Sequence, residues 1–177
     1  MFLTDFFGYF SLSALNFWAF SMAFLFNLFV YSLGVKRETT LLISSFIMMV
    51  SYGVSDYSLT WVSINELTYL DWALYDAITI ALLVTTYRII KKVTVSFTYL
   101  ITGLSINMCL LLAMHLDVFI YNNRDTWLLW DIYGFTVSII DIFMIVALIV
   151  DRDFLGLHKL KNKLFGLFKS SKTQHII

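Results

Sequence analysis

The stretch WLLWDIYGFTVSIIDIFMIVALIV, residues 127–150, decides the fold. A helix needs about 20 mostly apolar residues to cross the hydrocarbon core of a bilayer, and this run meets that length. It nevertheless carries Asp131 at its start and Asp141 near its middle. An ionised Asp at bilayer depth costs at least about 2.5 kcal/mol on insertion scales. Asp141 should therefore face the interior of a helix bundle, where it is paired, protonated or hydrated.

Four further apolar runs precede it, at 11–33, 39–62, 69–90 and 93–120, separated by charged or amide-rich breaks. The composition agrees: 60% hydrophobic and 18% aromatic residues against 14% charged, with a mean hydropathy of +0.82, exceed what a soluble domain needs to fill its core. The expected fold class is all-α, a polytopic membrane bundle of five spans over residues 11–153. Residues 1–10 form an interfacial lead-in, 154–169 a basic amphipathic helix and 170–177 a disordered tail. The chain has one cysteine, Cys109, and three scattered histidines, so thiolate clusters and disulfides within the chain are excluded. No metal-binding HExxH, GxSxG elbow, phosphate-cradling Gly loop or paired-Cys motif occurs. No catalytic residue, metal site or cofactor is expected, and nothing points to nucleic acid.

Lys and Arg near span ends are retained on the cytoplasmic side. With the C-terminus inside and the N-terminus outside, Lys36, Arg37, Arg88, Lys91, Lys92, Arg152, Lys159, Lys161, Lys163, Lys169 and Lys172 all face the cytoplasm and only Arg124 lies outside. The same orientation collects Trp61, Trp72, Trp127 and Trp130 at the outer interface. It also gathers acid there: Asp5, Asp56, Glu66, Asp71, Asp117, Asp125 and Asp131, with Asp76 about two turns into the third span. These acids are either solvated rim residues or a vestibule whose summed field attracts cations.

Polar residues inside the spans recur at helical spacing. Asn16 and Asn27 share a face of the first span; Ser44, Ser51 and Ser55 share one of the second, with Ser45, Tyr52 and Asp56 on a neighbouring face; Thr94, Thr98, Thr102, Ser105 and Cys109 form a stripe on the fourth; Asp131, Gly134, Ser138 and Asp141 form one on the fifth. Seams of small and polar residues let membrane helices approach and hydrogen-bond. Asn16, Asn27, Thr94, Thr98, Thr102, Ser105, Gly134 and Ser138 are thus expected to pack helices. The carboxylates admit a second reading, in which Asp141, Asp76, Asp131, Asp117 and Asp56, with His115, form an ion or proton pathway. For Asp141 two sets of partners are open: Arg88, snorkelling from the inner end of the third span, or hydroxyls such as Thr102, Ser105 and Ser138.

In the tail, Leu157, Leu160, Leu164, Phe165, Leu167 and Phe168 make an apolar face, with Lys159 and Lys163 opposite and Lys161 near its edge. Lys159, Lys161, Lys163, Leu164, Phe168 and Lys169 are the expected contacts to anionic lipid or to a cytoplasmic protein partner. The overall expectation is a multi-pass protein of the cytoplasmic (inner) membrane: a non-enzymatic homo-oligomeric subunit that anchors or senses for a multiprotein assembly, as in envelope-stress or phage-defence systems. The alternative is a cation or proton channel that uses the intramembrane carboxylates.

Overall fold

The structure is a computed structural model that describes residues 12–34, 39–62, 69–92, 94–123, 125, 127–153 and 155–156. The amphipathic helix expected at 154–169, with Lys159, Lys161, Lys163, Leu164, Phe168 and Lys169, lies outside the described residues but for 155–156, as do the lead-in 1–10 and the tail 170–177. Among the described residues five helices and no strands occur: α1 (Leu12–Ser32), α2 (Thr39–Val62), α3 (Tyr69–Ile90), α4 (Val95–His115, continued by the π-helical turn Leu116–Ile120) and α5 (Leu128–Val150).

Helix ends follow from local chemistry. Thr94 begins α4 from an extended backbone, its side-chain oxygen accepting the Phe97 N–H, which satisfies one of the four N–H groups a helix start leaves without a partner. Asp151, just past α5, turns into the left-handed region and returns its N–H to the Ala147 carbonyl. Its carboxylate then accepts both the backbone N–H and the hydroxyl of Ser96, at 3.2 and 2.6 Å. A carboxylate sits at the N-terminus of α4, where the helix dipole favours it.

The short links force sequence neighbours to run antiparallel. Each helix packs against the next, and α5 closes on α1. The result is a five-helix ring with two rims. One, the acidic rim, holds the N-terminal ends of α1, α3 and α5, with Asp71 and Asp131 in first turns and Asp117 and Asp125 beside the α4–α5 link. The opposite, basic rim holds Arg88, Lys91, Lys92 and Arg152.

α1, α3, α4 and α5 are long and apolar enough to cross a bilayer. In α2 the apolar part is the shorter stretch Thr39–Ser55, yet the 24-residue helix spans about 36 Å at 1.5 Å per residue, matching its neighbours. The outside of the ring is as apolar as a core: Trp18, Phe29, Leu74, Ile89, Leu128 and Phe135 are each more than half exposed. Water would not tolerate so continuous an apolar surface, whereas lipid would, and helices satisfy their own backbone there. The chain is a helical multi-pass membrane bundle.

Two glycines permit close approach. A Cβ on Gly103 of α4 would lie 2.6 Å from Met144 Sδ and 3.0 Å from Ile140 Cγ2 of α5, and one on Gly53 of α2 would lie 2.8 Å from the Phe17 ring of α1. These are the contacts that small residues make possible between membrane helices.

Candidate functional site: a buried carboxylate pair

The inward faces of the helices are mostly apolar, and among their buried polar residues those at one level meet across the ring. In α4 the buried face runs Leu100, Leu104, Asn107, Leu111 and Met114; in α1 it runs Asn16, Phe20, Ala23 and Asn27. Those spacings of three and four place Asn107 and Asn16 in the interior by periodicity alone. Asp141 of α5, 2% exposed, stands between them. Asn16 Nδ2 donates to Asp141 Oδ2 at 2.6 Å; the Tyr52 hydroxyl of α2 donates to Oδ1 at 2.6 Å, and Asn107 Nδ2 donates to the same oxygen at 3.0 Å. The Tyr52 ring is held against Phe20, with centroids 4.3 Å apart. Four helices thus meet on one carboxylate, through donors that are all neutral.

The fifth helix contributes a second acid. Asp76 of α3 is half-buried and close enough to Asp141 and to Tyr52 to interact with both electrostatically. One turn further along α3, Thr79 shares a hydrogen bond with Ser51 of α2 and donates to its own Tyr75 carbonyl. Tyr133, two turns rimward of Asp141 on α5, is within electrostatic reach of both acids and packs edge-on to Tyr69, with centroids 5.8 Å apart. Among the described residues no basic side chain lies against this pair, and none donates a hydrogen bond to Asp76. The Asn107 side-chain oxygen is buried and accepts no hydrogen bond among the described residues.

The partners of Asp141 differ from those expected. Arg88 is not among them: it is exposed near the basic rim, while Asp141 lies level with Asn16, more than two helical turns away along the bundle axis. The hydroxyls are not among them either. Ser105 and Ser138 donate to the carbonyls four residues back, of Ile101 and Gly134, the local bond a helical Ser makes most readily. Thr102, Ser105 and Cys109 line an open groove on the outer face of α4 with Ile101, Ile106 and Leu110. Gly134 faces open space.

Of the other acids, Asp131 is exposed. Asp117 is buried and clasps the α4–α5 link, accepting from Asn123 Nδ2 at 3.1 Å and Trp127 Nε1 at 2.8 Å. His115 stacks on Phe119. The Asp56 side chain lies outside the described residues, although its backbone is helical in α2. Asn27 donates to the Leu148 carbonyl at 3.1 Å, joining α1 to α5, and Thr98 is buried in α4. The structure therefore brings Asp141, Asp76 and Asn16 together, and adds Tyr52, Asn107 and Tyr133. Among the described residues no group of three His, Cys, Asp or Glu side chains converges to hold a metal ion. No protein-family model, curated protein or solved structure matches the chain.

Proposed function

We propose that this chain is a non-enzymatic, multi-pass protein of the cytoplasmic membrane, N-terminus outside and C-terminus inside, whose interior carboxylate pair binds and releases a proton. The observation that carries this reading is Asp141, buried and held by three neutral donors, with Asp76 within electrostatic reach and no basic side chain against either among the described residues. Two negative charges in a water-poor interior are costly without a counter-charge. A bound proton removes one of them, and a turn of the Asn107 amide, which now donates through Nδ2, would present its unpartnered oxygen to the resulting acid. The orientation is supported by the basic rim at Arg88, Lys91, Lys92 and Arg152, which the positive-inside tendency assigns to the cytoplasm.

The groups facing Asp141 are Asn16 from α1, Tyr52 from α2, Asp76 from α3 and Asn107 from α4, with Tyr133 on its own helix. Infrared difference spectra of the protein in lipid, recorded across an acid titration, should show a protonated carboxyl C=O band that disappears when Asp76 and Asp141 are both replaced by Asn. The rival reading is a homo-oligomeric subunit that anchors a multiprotein assembly, in which Asp141 only joins helices. It draws on the same three hydrogen bonds and expects no such band. A titrating band that survives the double substitution would place the proton elsewhere and remove the proposal.

A further inference from the structure

Asp141 and Asp76 meet different surroundings. Both carboxylate oxygens of Asp141 are filled by donors: Asn16 Nδ2 on Oδ2 at 2.6 Å, and the Tyr52 hydroxyl and Asn107 Nδ2 on Oδ1 at 2.6 and 3.0 Å. Hydrogen bonds to an ionised acceptor are roughly twice as strong as neutral ones, so three donors together favour the carboxylate over the acid. A proton on Asp141 would also displace them. On Oδ2 it would meet the Asn16 N–H, and on Oδ1 the Tyr52 O–H and the Asn107 N–H. Making room for it means turning an amide or redirecting the Tyr52 hydrogen, and each of these gives up a donor. Asp76 is half-buried and receives no hydrogen bond among the described residues, so a proton there displaces none of these contacts.

From this we infer that Asp76 carries the exchangeable proton, and that Asp141 is the fixed anion beside it, held charged by Asn16, Tyr52 and Asn107. The inference rests on the proton-binding reading above and divides the two acids by role: Asp76 binds and releases, while Asp141 supplies the charge that makes binding favourable. The titratable groups facing Asp76 are Asp141 and Tyr133 from α5 and Tyr52 from α2. On α3 itself Tyr75 is adjacent and Asp71 lies more than one turn rimward. α1 and α4 bring the uncharged Asn16 and Asn107 to Asp141, with His115 of α4 stacked on Phe119 about two turns rimward of Asn107. The Asp56 side chain of α2 lies outside the described residues. With Asp141 kept ionised, a second bare charge on Asp76 is costly at this depth, and a proton on Asp76 removes that cost without disturbing the three hydrogen bonds.

The test follows the infrared acid band of the full-length protein in lipid, one variant at a time. Asp76→Asn removes no hydrogen bond among the described residues, and it should abolish the band over the pH range in which the wild type titrates. Asp76→Glu should keep a titrating band at a shifted frequency, because the proton then sits on a glutamic acid. Asp141→Asn should keep a band, since Asp76 is still present. Adding Tyr52→Phe to Asp76→Asn should restore a band, because Asp141 has lost one of the donors that held it charged. A band that survives Asp76→Asn over that range, a frequency that Asp76→Glu leaves in place, a band lost in folded Asp141→Asn, or no band in the Tyr52→Phe, Asp76→Asn double variant would overturn this division of roles while leaving proton binding intact. If Asp141→Asn does not fold, the two Asp76 variants decide. Absence of a titrating band in the wild type, or its survival when both acids are replaced, would instead remove the proton-binding reading, and this inference with it.

Discussion

Asp141 is held by three donors on three helices, so each donor should be separately measurable. Tyr52→Phe removes one hydrogen bond and leaves the ring stacked on Phe20. A hydrogen bond to a charged group is worth about 1.5–3 kcal/mol, so thermal unfolding in detergent should register a loss of that order. Asn16→Leu should cost at least as much, since it withdraws the only donor to Oδ2 among the described residues. Equal stability of Tyr52→Phe and wild type would mean that this hydrogen bond contributes nothing. At this scale the sequence was partly legible. An Asp in a greasy run announced itself, because a charged residue is costly there. Its partners did not: Asn107 is one amide in an apolar stripe, visible only once Leu100, Leu104, Leu111 and Met114 are placed on the same face. Arg88 and the Ser hydroxyls attracted attention because charge complementarity and small-residue spacing are readable from sequence, whereas the angular position of one helix relative to the next is not.

Among the elements, α4 and α5 show how close approach sets the level of the site. Gly103 lies one turn from Asn107, and its bare backbone lets Met144 and Ile140 settle against it. Gly103→Val should push α5 away, at a cost of about 1–3 kcal/mol typical of overpacking, and lengthen the Asn107–Asp141 hydrogen bond. The same thermal measurement reads the first effect; unchanged stability would show that α5 can shift freely. Helix existence was legible here because apolar runs bounded by Lys-Lys, Asn-Asn and Asp-Arg-Asp leave little choice. The direction of the polar stripes was not. Thr102, Ser105 and Cys109 keep perfect helical spacing yet face outward, because period alone says which residues share a face and not which way that face points.

For the whole molecule, the ring of five helices carries acidic residues at one rim and basic residues at the other, with Asp76 and Asp141 between them. The zero net charge conceals this division, which the order of charges along the chain reveals once spans are assigned. The central claim is that Asp76 and Asp141 act as one proton-binding unit, and interacting acids titrate as a pair rather than as two separate residues. Carboxyl-labelled aspartate in the protein, embedded in lipid nanodiscs, can be followed by carbon NMR across pH, with Asp76→Asn and Asp141→Asn assigning the two resonances. The expected result is coupling: both resonances respond over a shared pH range, and removing either Asp shifts the titration of the other. Two resonances that titrate independently, each unmoved by loss of its neighbour, would contradict a shared proton and leave Asp141 as a hydrogen-bonded joint between helices.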